Sequence, residues 1–222
     1  THIDAQPGAY GYKTHPYRWM TIGKELSHIE TAQLDDVKNF FFKFYRPANA
    51  IMVLAGNVTV EKAKELAEKW FADIPSGEKY NRNLPVESPQ NEERRMTIKA
   101  NVPLDAFYKS WHMADRLDKR YYIADLLSEI LSGGGSSRLY QSLVKEKQLF
   151  SNIECHHFGS TDSGLVAIEG KLVKGVKIEE AEKAVEEVLQ GLKDEPVIET
   201  ELQKVKNKTE SMIAFEDMSV MN

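Results

Sequence analysis

Between Thr31 and Asn57 the hydrophobic period of the chain changes from helical to extended within a few residues, and no other stretch restricts the fold as much. Leu34, Val37, Phe41, Phe44 and Tyr45 recur at three- and four-residue spacing, the stripe of an amphipathic helix, with Thr31 as its N-cap and Pro47 as its stop. Residues 50–55 then form a short apolar run with Ile51 and Val53, closed by Gly56 and Asn57, which predicts a strand buried on at least one face. Thr59 can cap a second helix, with Val60, Ala63, Leu66, Ala67, Trp70 and Phe71 on one side. Helix, strand and helix in so short a stretch predict an α+β architecture.

Residues 75–93 carry three prolines, few large apolar groups and mixed charge, which marks a linker. Beyond it, residues 95–102 and 105–113 alternate in polarity around Pro103 and read as neighbouring strands. Residues 119–131 read as a helix with Tyr122, Ile123, Leu126, Leu127, Ile130 and Leu131 as its apolar face, ended by Gly133 to Gly135. Ser136 or Ser137 can cap the next helix, SRLYQSLVKEK, with Leu139 and Leu143 on one side. NIECHHF and LVAIEGKL flank GSTDSG as a hairpin, and residues 178–192 and 198–215 read as two further amphipathic helices. The predicted division is therefore 1–75, a linker at 76–93, and 94–222. A faint echo links MVLAGNVTVEKAKELAEKW with VAIEGKLVKGVKIEEAEKAVEEV, both strand, glycine, connection and helix.

Composition excludes several function classes. With 41% hydrophobic and 28% charged residues the chain can bury a core under a solvated surface. Its net charge of −5 is interspersed, and no Lys/Arg block points to nucleic acid. No run approaches the roughly eighteen apolar residues of a membrane span. The start at a threonine reads as a processed or excised piece whose signal peptide, if any, lies upstream, so bacterial periplasm and cytoplasm both stay open. Cys155 is the lone cysteine, which excludes an internal disulfide.

The usual constellations of catalysis are missing. His28 to Glu30 gives only H-x-E, with no P-C-x-x-C to follow it. His156 and His157 are adjacent on a predicted strand, so their side chains leave opposite faces and read as ordinary strand histidines. His15, before a proline, reads as a turn stabiliser. No G-x-S-x-G elbow is present. SGGGSSR lacks the G-K-[ST] ending of a phosphate loop and reads as a helix-to-helix turn.

The order HPY, then Gly23 of an IG pair, an acidic helix ending in FYRPANA, and IMVLAGNV resembles the insulinase-like zinc peptidases, the inverzincin group that includes mitochondrial processing peptidase and bacterial zinc proteases. The resemblance implies two homologous insulinase-like α+β domains, the first represented by its C-terminal part and the second incomplete at its C-terminus. It also implies zinc in the full-length protein, held by an H-x-x-E-H helix that would lie upstream of Thr1, since no such motif occurs in this chain. GGGSSRLYQSLVKEKQLFSNIE resembles the inactive second domain, whose helix typically ends in a pattern like REKRGLAYS with an Arg and a Tyr that hold substrate backbone. Carried over, those positions fall on Lys145 and Asn152, both departures: Lys145 keeps a charge without the planar fork, and Asn152 loses the phenol. The implied role is the non-zinc-binding part of a zinc metalloendopeptidase that forms the substrate chamber, the alternative being a non-catalytic scaffold half beside a zinc-bearing partner. Expected partners are a peptide or protein substrate, the other half of the same protein or a zinc-bearing partner, and a second copy of this chain. By itself the chain is expected to hold no stoichiometric zinc and to cleave no peptide.

Overall fold

Alternating side chains build the sheet that carries the only described strands. In the computed structural model, which describes residues 11–216 and 218, β1 (Ala106–Met113), β2 (Phe150–Phe158) and β3 (Gly164–Leu172) pair antiparallel in the order β1-β3-β2. β2 and β3 are the hairpin expected around GSTDSG. A Cβ at Gly164 would collide with the Phe158 carbonyl oxygen, so the turn requires glycine there. Gly170 answers a different demand: the Phe150 ring lies 2.6 Å from where its Cβ would stand.

The helices are α1 (Leu34–Phe44), α2 (Val60–Phe71), α3 (Arg120–Ser132), α4 (Ile178–Asp194) and α5 (Glu199–Glu216), so the fold is α+β as the sequence predicts. The described chain separates into two units. One holds the described residues up to Met20 with Pro85–Ile213, and the other holds Thr21–Leu84 with the described residues from Ala214.

In the first unit one sheet face is covered by helices. Phe107, Ile153, Cys155 and Ile168 from the strands join Leu131, Leu139, Leu143 and Val185 in one buried cluster. Arg138 forks onto Glu201 of α5 at 3.0 and 2.8 Å, both side chains largely buried. In the second unit the two helices form without a core, for none of residues 21–84 is buried. Its order is local: Asn49 Nδ2 donates to the Phe44 carbonyl at 3.1 Å, the Tyr80 N–H donates to Asn49 Oδ1 at 2.6 Å, and Tyr80 meets the Phe44 ring edge-on. The FYRPANA signature is thus a helix stop that Asn49 locks.

Five expectations are corrected. Gln33, not Thr31, caps α1, because Gln33 and Asp36 form a reciprocal capping box while Thr31 closes a preceding turn of helix at Ser27–Glu30. Residues 50–55 form no strand, and Ile51 is 93% exposed, because no described segment lies beside them to complete a ladder. Residues 95–102 also form none: Arg95 is forked onto Glu182 of α4 at 2.9 and 2.7 Å, which holds the start of that run at a helix. Tyr122 and Ile123 are exposed, since α3 turns Ala124, Ser128 and Leu131 inward instead. Residues Tyr140–Glu146 are π-helical, not α-helical, although Leu139 and Leu143 are both fully buried as their spacing implies.

Candidate functional site

Two polar constructions occupy the side of the sheet away from the helices. The first is the HPY segment. His15 is buried and caps the short turn Pro16–Arg18, its Nδ1 accepting from the Tyr17 N–H at 3.2 Å, so the turn-stabilising role expected of it is the one found. Its Nε2 approaches the Asp162 carboxylate to 3.3 Å without hydrogen-bond geometry. Tyr12 donates to the Ser163 carbonyl at 2.8 Å and packs on His112, and burial pushes its phenol well above the ordinary value. Glu87 accepts the backbone N–H groups of Lys13, Thr14 and His15 at 2.8, 2.7 and 2.8 Å. Burial alone would raise the Glu87 pKa, but those three bonds together outweigh it and hold the carboxyl below the glutamate range. The residues ahead of the Pro16–Arg18 turn are thereby fixed across one end of the sheet.

The second construction stands further along the hairpin. Glu154, His156 and Glu169 point from β2 and β3 to the same side, and their donor atoms lie within 4.8 Å of one another. His157 leaves the opposite face, as alternation demands, and meets Tyr121 of α3 at 3.1 Å. Sequence reasoning weighs His156 only against its neighbour. The available signal is E-x-H at i and i+2 on a strand, with Glu169 brought opposite by the hairpin register.

Lys145 is exposed on the π-helical segment and Asn152 is exposed on β2, at the register irregularity opposite Lys171. No side-chain hydrogen bond or ion pair joins the two among the described residues. His28 is exposed on its single helical turn. At SGGGSSR, Gly133 ends α3 with its N–H on the Glu129 carbonyl at 2.7 Å, and Gly134 adopts a φ of 101°. The buried Ser137 hydroxyl donates to the Gly134 carbonyl, so the segment is a turn tied to itself. Cys155 is buried, and burial pushes its thiol up to about 12, which removes it as a nucleophile. The Ser132 hydroxyl accepts from the Cys155 N–H at 2.8 Å and donates to its carbonyl at 3.1 Å.

The family described as "Peptidase M16 inactive domain" matches residues 31–209. The chain belongs to this family. The insulinase-like resemblance of its motifs is therefore correct. The zinc protease PqqE of Helicobacter pylori is 29% identical over 198 residues, covering 88% of this chain and 44% of that protein. The crystal structure of a protease from Helicobacter pylori superposes with a TM-score of 0.83 at 27% identity, covering 94% of this chain and 51% of the other. The peptidase M16 inactive domain from Pseudomonas fluorescens shares the fold with a TM-score of 0.76 at 22% identity, covering 94% and 52%. The chain spans about half the length of the curated relatives it matches.

Relatives named zinc proteases raise the question of whether this M16 chain could hold a catalytic zinc. Its one described three-donor set offers a single imidazole and two carboxylates, each more than a third exposed, on an open strand face. That differs from two histidines one helical turn apart, and both nearby carboxylates would serve as ligands, leaving neither to activate water. The set does not fit a hydrolytic zinc centre, and no step is assigned to it. No described helix is long and apolar enough to cross a membrane.

Proposed function

We propose that this chain is the non-zinc-binding portion of an M16 zinc metalloendopeptidase, which walls the substrate chamber and packs against the part that carries zinc. The observation that carries this reading is the bare apolar surface of Thr21–Leu84. Phe40, Phe41, Phe42, Trp70 and Phe71 are all more than half exposed on helices whose sequence period suits burial. Membership in the inactive-domain family and coverage of about half the relatives' length agree with a partner that supplies the missing cover. We read the domain plan as 1–75 and 94–222 about a linker at 76–93. Lys145 and Asn152 would then contact peptide backbone from the second of these. Placement of Lys145 on a π-helical segment, a distortion frequent at functional sites, supports its part in that contact.

The test is reconstitution. The purified chain is mixed with the zinc-bearing remainder of the protein, and peptide hydrolysis is followed with and without chelator. Each part alone should be inactive, and the mixture should cleave peptide in a chelator-sensitive way. Lys145→Ala should raise KM several-fold with little change in kcat, the pattern of lost uniform binding. Chelator-sensitive hydrolysis by this chain alone would overturn the reading.

A further inference from the structure

Glu154 and Glu169 stand directly opposite each other in the β2/β3 register. Like charges in that position repel. The described residue that reaches both as an ion-pair partner is His156, whose Nε2 lies 3.1 Å from Glu169 and 3.5 Å from Glu154. Two donors bound to one zinc ion at about 2.1 Å with a tetrahedral angle stand about 3.4 Å apart. The two distances from His156 bracket that value and all three donor atoms lie within 4.8 Å of one another, on a face where two carboxylates stand side by side with one imidazole between them.

We propose that Glu154, His156 and Glu169 form a binding site for one divalent transition-metal ion, Zn²⁺ or its neighbours Co²⁺ and Ni²⁺. An imidazole with two carboxylates suits these ions, whereas Ca²⁺ and Mg²⁺ favour oxygen donors alone. The ion sits between the His156 imidazole and the two glutamate carboxylates, in place of the direct contacts among them. It ties β2 to β3 outside the turn, and its remaining positions face solvent. The site is structural in kind and does not depend on the chamber-wall reading; it departs from the expectation that the chain offers no metal ligand.

Chelator-stripped chain is titrated with Zn²⁺ by calorimetry and with Co²⁺ by visible absorption. Binding should saturate near one equivalent and raise the melting temperature. His156→Ala should weaken affinity by at least about tenfold, since even changes outside the ligand shell weaken metal sites by roughly 10–100-fold. The double variant Glu154→Gln, Glu169→Gln should do the same while keeping the far-ultraviolet circular dichroism of the parent, and His28→Ala should change nothing. Absence of saturable binding, or one-equivalent binding that survives both site variants, would overturn the proposal. Weak uptake at several equivalents would also overturn it, as an adventitious ion only.

Discussion

Gln148 follows the π-helical segment with a φ of 53°, the left-handed region that favours glycine. Substituting Gln148→Gly should remove that strain and raise stability by up to about 1 kcal/mol, part of the gain being lost to the freer unfolded chain. Denaturant unfolding of both proteins checks it. Glu87 makes a prediction about pH. Because its folded pKa is lowered, its three N–H bonds contribute fully above the ordinary glutamate pKa, and the contribution is lost as pH falls through the lowered value. The melting temperature of Glu87→Gln should therefore fall short of the parent at neutral pH, with the gap closing in acid. A gap independent of pH would show that the carboxylate charge is not what holds Lys13 to His15.

At the level of elements, packing against a glycine and a largely buried fork each give a measurable term. Gly170→Ala should cost about 1–3 kcal/mol, because Phe150 cannot move aside without disturbing the cluster it shares with Phe107 and Ile153. Glu201→Gln should cost about 2 kcal/mol by weakening the charged fork to Arg138, with double-mutant analysis isolating the pair. The elements differ in how far the sequence discloses them. α1, α2, α4 and α5 are legible because a helix closes its own hydrogen bonds and its apolar period is written in consecutive residues. Residues 50–55 and 95–102 mislead because a strand exists only beside a partner, and an apolar run names no partner. Tyr122 and Ile123 show the same limit on a helix, where the surface packed against α3 decides which edge of the stripe is covered. The meeting of Glu154 with Glu169 is hidden for a third reason, since it depends on the register of a hairpin whose turn has first to be located.

For the molecule as a whole, the bare apolar side chains of Thr21–Leu84 predict association in the absence of a covering partner. Light scattering at micromolar concentration should show self-association that Phe41→Glu reduces without lowering the melting temperature. Limited proteolysis should cut first within 76–84, ahead of Glu87, because Glu87 is tied to the HPY loop by three hydrogen bonds. The seal that Ser132 places on Cys155 has a geometric consequence for any such assembly. It occupies hydrogen-bonding groups in the middle of the β2 edge, so that margin of the sheet offers no uninterrupted row to another strand. Where a sheet joins a second copy through a single margin, the union is margin to margin, two-fold and closed. It uses up the surface that made it and ends at a pair, whereas two receptive margins would allow an open fibre.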